Sequence, residues 1–257
     1  MEEEKETIVI LMAGGLGKRM NSDTPKVLHR IRGLPMIVHL LLTIKQLRYP
    51  ISKILIVVGK YRPIIEKTIF KYTDSEKIQF VEQREPLGTG HAIQCCRDIL
   101  LLQPPSVNVL ILSGDVPLLS LSTMEKMIDN LSGIRIITTQ MDEPKGYGRI
   151  ITNSDGLFQR IVEEKDAMET ERSIQTVNCG IYAISCGLLC RYLPMIQNHN
   201  EQREYYLTDI VEIIQSNEGV KIEMLEIPKA NQREIMGVNT SEELERLNRI
   251  YQPFHVR

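Results

Sequence analysis

An apolar run that breaks into a cationic glycine turn sets the terms for this chain: Ile8-Val9-Ile10-Leu11-Met12, then Ala13-Gly14-Gly15-Leu16-Gly17-Lys18-Arg19-Met20, with Asn21-Ser22-Asp23-Thr24-Pro25-Lys26 directly after it. An unbroken run with no polar face is what a strand buried on both sides looks like, and it belongs to a parallel sheet covered by helices. The glycines behind it let backbone N–H groups turn toward an anion and approach it closely. Arg19 and Lys26 add positive charge from two nearby places. A loop at the carboxyl end of a first parallel strand is the usual position for a nucleotide phosphate. The spacing fits neither common fingerprint, because there is no third glycine at the dinucleotide-fold position and no Gly-Lys-Ser/Thr triplet follows. On these residues alone two readings stand: a phosphate loop, or a tight strand-to-helix turn with two surface cations.

The alternation continues down the chain. Strand-like runs at Thr7–Met12, Ile54–Val58, Ile78–Val81, Val107–Leu112 and Ile134–Thr139 are separated by helical spacing at Ile37–Leu47, Pro63–Tyr72, Gly90–Leu102 and Ser122–Leu131. That order predicts an α/β fold with a mostly parallel sheet flanked by helices. Ser122 stands three residues before Glu125, a capping-box spacing. The second half changes character. Arg149–Ile151, Phe158–Val162 and Asn178–Ile184 are strand-like without long helices between them, and Asn153-Ser154-Asp155-Gly156 reads as a hairpin turn. Helices are expected at Tyr206–Ser216 and Glu242–Tyr251, with a strand near Lys221–Ile227. A small β-containing lobe beside the main sheet, forming one wall of a cleft, is therefore expected.

Bulk properties remove several classes of function. A formal net charge of -2 leaves no broad basic field, so nucleic acid is not an expected partner and any anion site must be local. The acidic start Met-Glu-Glu-Glu-Lys-Glu is unlike a signal peptide, and no apolar stretch is long enough to span a bilayer. A cytoplasmic protein is the expectation, with no membrane partner. The 5 cysteines, Cys95, Cys96, Cys179, Cys186 and Cys190, are odd in number and lack CxxC spacing, so they read as reduced thiols.

Three further constellations bear on chemistry. In Leu110-Ile111-Leu112-Ser113-Gly114-Asp115-Val116-Pro117-Leu118 an apolar strand ends in Gly-Asp. The Asp115 carboxylate would then sit at the carboxyl edge of a central strand, either as an oxygen ligand for Mg²⁺ beside a phosphate loop or as part of an Asx turn. In Gln83-Arg84-Glu85-Pro86-Leu87-Gly88-Thr89-Gly90-His91-Ala92 a glycine-threonine turn opens a helix. Its amides can meet a base edge or an anion, or simply start an ordinary helix. His91 reads as a structural histidine rather than a base. The last set is Gly146-Tyr147-Gly148-Arg149-Ile150, Ile161-Val162-Glu163-Glu164-Lys165-Asp166-Ala167 and Asn178-Cys179-Gly180. A carboxylate, an asparagine and backbone amides of this kind can fix sugar hydroxyls and an amide substituent.

Taken in order, these pieces resemble the sugar-1-phosphate nucleotidyltransferases, and within them the uridyltransferase domain of the bifunctional bacterial enzyme that makes UDP-N-acetylglucosamine. The resemblance runs from about Ile8 to about Tyr251. Besides the segments above it includes Thr24-Pro25-Lys26-Val27-Leu28-His29, Glu204-Tyr205-Tyr206-Leu207-Thr208-Asp209 and Gly237-Val238-Asn239. It implies a nucleotide-diphospho-sugar transferase fold, Rossmann-like, within one domain. About 7–140 would bind nucleotide, 141–240 would bind sugar, and 241–257 would form a C-terminal helix and tail. It also implies Mg²⁺ as cofactor, with UTP and N-acetylglucosamine 1-phosphate as substrates. Ala13, Gly14 and Gly15 would line the nucleotide through backbone contacts, while Arg19 and Lys26 would hold the triphosphate and the departing pyrophosphate. Gln83, Gly88 and Thr89 would read the uracil, and Asp115 and Asn239 would hold the metal. Gly148, Glu163 and Asn178 would hold the sugar, with Tyr206 and Thr208 closing its pocket and Lys165 contacting its phosphate.

Two departures from that pattern stand out. Ser113 replaces the tyrosine that precedes Gly-Asp in the bacterial enzyme, which removes one ring contact near the nucleotide. No hexapeptide repeat follows Tyr251, so the acetyl-transfer step of the bacterial enzyme, and the trimer its repeat domain builds, are not expected. Two other readings stay open: a sugar nucleotidyltransferase for glucose 1-phosphate, N-acetylgalactosamine 1-phosphate or another nucleotide, and a nucleotide-sugar sensor that binds without turnover. Arg19, Lys26, Asp115 and Asn239 are all present, which speaks against the sensor.

Overall fold

A computed structural model describes residues 5–15, 17–20 and 22–251. Leu16 and Asn21 of the opening turn and the expected tail beyond Tyr251 lie outside the described residues. In chain order the elements are β1 (Thr7–Met12), β2 (Arg30–Ile31), β3 (Leu34–Pro35), α1 (Met36–Ile44), β4 (Ile51–Val58), α2 (Arg62–Ile69), β5 (Ile78–Glu82), α3 (Thr89–Gln94), α4 (Arg97–Leu100), β6 (Asn108–Ser113) and α5 (Leu121–Ile128). The second half holds β7 (Ile134–Gln140), β8 (Arg149–Thr152), β9 (Phe158–Val162), α6 (Glu169–Arg172), β10 (Thr176–Ser185), α7 (Cys186–Tyr192), α8 (Asp209–Glu218), β11 (Glu223–Ile227) and α9 (Ser241–Ile250).

One sheet runs β11-β7-β10-β6-β1-β4-β5, with β8 and β9 branching from β10. β1 pairs in parallel with both β4 and β6, β4 with β5, and β7 with β11. β10 is antiparallel to β6 and β7, so along this path it alone is reversed. The sheet is therefore mostly parallel, as the alternation of runs predicts. The absence of a polar face on β1 follows from its position. Ile8 and Ile10 pack into one core with Leu55, Val57 and Ile111, while Val9 and Leu11 pack into a second with Ile56, Val58 and Leu112. Alternate side chains leave a strand on opposite faces, and here both faces are covered.

A third, smaller cluster brings Met20, Ile31, Met36, Val238 and Leu247 together. It docks α9 and the segment before it against the opening turn. Thr240 caps α9 by accepting from Glu243 N at 3.2 Å, and the Glu243 carboxylate accepts in return from Thr240 N at 3.1 Å and Asn239 N at 2.5 Å. This capping box fixes the backbone of Asn239 far from Lys26 in sequence but beside it in space.

Several expected boundaries move. The helix expected over Gly90–Leu102 is two helices, because Cys96 N bonds to Ile93 O three residues back and tightens the turn there. Ser122 is not a cap. Ser120 is the last extended residue (φ -75, ψ 154) and its side chain accepts from Thr123 N. The helix expected from Tyr206 begins at Asp209, since the residues before it are held across the chain: Tyr205 N bonds to Leu87 O at 2.8 Å and Leu207 N to Thr89 Oγ1 at 3.0 Å. The charged stretch Glu164–Arg172 ends in the short α6. All 5 cysteines are free thiols. Among the described residues, no helix is long and apolar enough to cross a membrane.

Candidate active site

β1 and β6 end side by side, Met12 paired with Ser113, and the chain leaves β1 toward β4 on one side while β6 lies on the other. Strand order reverses at this point, and ligands of open α/β sheets bind outside the carboxyl ends of such strands. Gly114 lets the two exits come close. Its N–H donates to Met12 O at 2.9 Å, and a Cβ there would stand 2.8 Å from that same oxygen. Only glycine fits without displacing a strand end.

Two adjoining clefts open here, of about 270 and 300 Å³, and they share Met12, Thr89, Ser113 and Asp115 as a common wall. The first holds Gly14, Gly15, Lys26, Gln83, Gly88 and Thr89. Ala13 lies beneath it, buried, with its N–H spent on Val57 O at 2.8 Å. Gln83 is buried and oriented by its partners. Its Nε2 donates to Gly88 O at 3.0 Å and meets His91 Nδ1 at 3.2 Å. A carbonyl can only accept, so Oε1 is the atom left beside Gly14, where it accepts no hydrogen bond among the described residues. Gly88 has φ +113, and a Cβ on it would stand 2.5 Å from Tyr205 O, so the turn that receives Gln83 needs glycine twice over.

The second cleft holds Arg19, Gly148, Glu163, Asn178, Thr208 and Asn239. Asn178 sits at an irregularity of β10, between its pairing with Thr138 and that of Tyr182 with Ile136. The bulge turns Asn178 and Tyr182 into one cleft, and Asn178 Nδ2 donates to the Tyr182 hydroxyl at 2.7 Å. The Glu163 carboxylate accepts from Thr208 Oγ1 at 3.0 Å. Burial pushes the Glu163 carboxyl above the usual range, against the Thr208 hydrogen bond. Arg149, expected only as part of the motif, is almost wholly buried. It pairs with Glu164 at 2.8 Å and donates to the Tyr147 and Arg172 carbonyls, which pins the Gly146–Gly148 loop that walls this cleft.

At the junction a cation already sits on the oxygens expected to bind metal. Lys26 Nζ pairs with Asp115 Oδ2 and donates to Asn239 Oδ1 at 2.7 Å, and Arg19 reaches the same Asn239 oxygen at 3.1 Å. A hard divalent ion suits this donor set. It takes oxygen ligands, and Mg²⁺ commonly uses one or two protein groups and completes its shell with substrate phosphates and water. Among the described residues no group of three or more His, Cys, Asp or Glu gathers to hold a metal, at this junction or elsewhere.

Besides Ala13, two expected residues stand outside the linings of both clefts. Lys165 is exposed in the turn after β9 and lines neither. Tyr206 lines a separate cavity behind Glu163, with Asp166, His199, Asp209 and Glu212, and its hydroxyl accepts from Gln202 Nε2 at 2.9 Å. His91, Tyr182 and Glu243, not read as site residues, hydrogen-bond to Gln83, Asn178 and the Asn239 backbone. Only Glu243 carried a sequence signal, the Thr240-Ser241-Glu242-Glu243 capping pattern.

The cavity behind Glu163 gives the site a pH signature. Burial raises the Asp209 carboxyl from the usual 3.8 to about 6, helped by Glu163, Glu212 and Asp166. A carboxyl with a raised folded value is protonated in the native state at pH values where the unfolded chain has already lost its proton. Stability therefore falls as pH rises from about 4 to about 6 and levels off above. Arg160 and His199 also face this cavity. Asp209→Asn should flatten the fall and raise the melting temperature at pH 7. A thermal melt series from pH 4 to 8 checks this, and an unchanged slope refutes it.

Comparison with known proteins gives the chain its relatives. Residues 9–174 match the MobA-like NTP transferase domain. The chain is 39% identical over 241 residues to a protein of Acanthamoeba polyphaga mimivirus named "Probable UDP-N-acetylglucosamine pyrophosphorylase", covering 92% of this chain and 93% of that one. It is 43% identical over 248 residues to "Bifunctional protein GlmU" of Acinetobacter baumannii (strain AYE), covering 96% of this chain but 52% of that protein. The chain thus spans about half the length of such bifunctional relatives. A crystal structure of a "Putative Glucose-1-Phosphate Thymidylyltransferase" from Bacillus anthracis superposes with a TM-score of 0.69 at 19% identity, over 95% of this chain and 94% of that one, which supports a shared fold.

Proposed function

The chain belongs to the MobA-like NTP transferase family, and from that premise we propose that it is a UDP-N-acetylglucosamine pyrophosphorylase, transferring uridylyl from UTP to N-acetylglucosamine 1-phosphate. The observation that carries the reading is the shared wall of the two clefts. Asp115, on that wall and joined through Lys26 to Asn239, stands where a group held in one cleft meets a group held in the other. A nucleotide in the first cleft and a sugar phosphate in the second would place the reacting phosphates there.

Gln83 supports the base assignment: its free Oε1 accepts, so it can take the ring N–H of uracil. On the sugar side, the Glu163 carboxylate accepts hydroxyl hydrogens. Asn178, with one N–H held by Tyr182, keeps a second N–H for the carbonyl of an acetamido group. Glu163, Asn178, Gly148 and Thr208 are read as the sugar contacts. Residues 7–140 are read as the nucleotide part and 141–240 as the sugar part.

An oxygen of the sugar phosphate attacks the α-phosphorus of UTP. The new P–O bond forms as the bond to the pyrophosphate oxygen breaks, and no proton needs to move because the nucleophile is already ionised near pH 7. Lys26 and Arg19 neutralise the triphosphate and hold the leaving pyrophosphate in line. Mg²⁺, held by Asp115 and Asn239 together with phosphate oxygens, would supply further charge neutralisation. The test is pyrophosphate release across four nucleoside triphosphates and several sugar 1-phosphates, with and without Mg²⁺. The expected result is release that requires Mg²⁺, UTP and N-acetylglucosamine 1-phosphate together. Equal or faster release with glucose 1-phosphate, or with another nucleotide, overturns the assignment.

A further inference from the structure

Ser113 is where the chain departs from the bacterial pattern, and in the fold the position is not idle. Ser113 closes β6 beside the end of β1 and lines both clefts. Its hydroxyl donates to Asp115 Oδ1 at 2.6 Å. The other carboxylate oxygen, Oδ2, faces Lys26, which in turn reaches Asn239 Oδ1. The two oxygens of Asp115 are thus sorted, one tied to the strand end and the other turned to the cation.

The backbone around this carboxylate is already held on both sides. Gly114 N donates to Met12 O at 2.9 Å, and Asp115 O accepts from Val238 N at 2.9 Å. What remains free is the Asp115 side chain. A hydroxyl one carbon from the backbone, two residues earlier on the chain, can hold it, whereas the hydroxyl of a tyrosine lies a full ring away from that point. Charge-assisted hydrogen bonds to a carboxylate are short and strong, which suits a bond that must survive the exchange of one cation for another on Oδ2.

We propose that Ser113 is a positioning residue for the cation site: its hydroxyl fixes the Asp115 carboxylate so that Oδ2 is presented, together with Asn239 Oδ1, to a divalent cation that arrives with the nucleotide. The inference rests on the reading of Asp115 and Asn239 as the cation ligands. The partners of metal ligands commonly control affinity by about 10–100-fold.

The test uses Mn²⁺ as the probe, with binding read by electron paramagnetic resonance in the presence of a non-hydrolysable UTP analogue, and in parallel the metal dependence of pyrophosphate release. For Ser113→Ala the half-saturating Mn²⁺ concentration should rise about tenfold, and kcat at saturating metal should return to within about threefold of the parent value. Ser113→Thr keeps the hydroxyl and should bind Mn²⁺ as the parent does. A merely structural role would lower kcat in a way that added metal does not restore, and that result overturns the proposal. Mn²⁺ binding by Ser113→Ala within about twofold of the parent also overturns it. Should the parent bind Mn²⁺ with the analogue yet release no pyrophosphate from UTP and N-acetylglucosamine 1-phosphate, the substrate reading fails while the binding arm still decides the role of Ser113.

Discussion

Asp115→Ala is expected to lose at least about 10²–10³ in turnover while remaining folded, since removing a single preorganised charge-stabilising group commonly costs that much. Nothing in the local backbone depends on the carboxylate. The Asp115 carbonyl still accepts from Val238 N, and the turn at Gly114 is fixed by Met12 O. Lys26 keeps Asn239 Oδ1 as a partner, and its flexible stem lets the ammonium turn toward the open cleft. The loss should therefore fall on chemistry and not on the fold. In contrast, Asp115→Asn preserves shape and a carbonyl oxygen but removes the charge, so it separates the two contributions. It should retain the Ser113 contact geometry and still lose most turnover. Pyrophosphate release at saturating Mg²⁺, alongside a thermal melt, checks both variants. A folded Asp115→Ala protein with turnover within about tenfold of the parent refutes the assignment of this carboxylate.

The parts of this site that could be read in the sequence are those whose chemistry is local. The apolar run before Gly14 announced a strand covered on both faces, and both cores found on β1 explain why it has no polar alternation. The Gly-Asp at the end of β6 announced a carboxylate at a strand exit, because the residues that shape the turn are the neighbours of the residue that acts. The roles read for Gln83 and Asn239 came through the resemblance of whole motifs, while Glu163 and Asn178 were first read from residue chemistry; the partners of Glu163 and Asn239 lie far along the chain. The separation of 213 positions from Lys26 to Asn239 carries no sequence signal of that contact, which is made by α9 docking on the opening turn. Two contacts close in sequence were not anticipated either, because turn and bulge geometry sets them. His91 orients Gln83, and Tyr182 orients Asn178 through a bulge in β10 that hydrophobic alternation does not reveal. The displaced cap at Ser120 is a different case, since several serines and threonines near a helix start offer the same local signal and only the last extended residue can use it.

Lys26 should give opposite results in two assays, and that opposition is the sharpest consequence of the geometry. Its side chain is 13% exposed, and its ammonium occupies both oxygens that the metal reading assigns to a divalent ion. A positive charge within hydrogen-bond distance of both ligands repels a second cation strongly in a partly buried site. When a triphosphate enters the first cleft, the same ammonium gains phosphate oxygens to pair with and can release Asp115 and Asn239. Nucleotide and divalent cation should therefore bind with positive coupling, and the cation alone should bind weakly. Lys26→Met removes the charge and keeps most of the side-chain volume. Without nucleotide it should bind Mn²⁺ more tightly than the parent, since nothing competes for the two oxygens. With both substrates it should turn over about 10²–10³ more slowly, since the triphosphate has lost a fixed counter-charge. Lys26→Arg should not restore the rate, because a planar guanidinium cannot place a point charge between Asp115 Oδ2 and Asn239 Oδ1 and then swing to phosphate along the same path. Mn²⁺ titration of the nucleotide-free proteins and pyrophosphate release with saturating substrates read the two effects separately. If both binding and turnover fall together in Lys26→Met, the lysine does not compete with the metal, and its contacts to Asp115 and Asn239 support the site by packing alone.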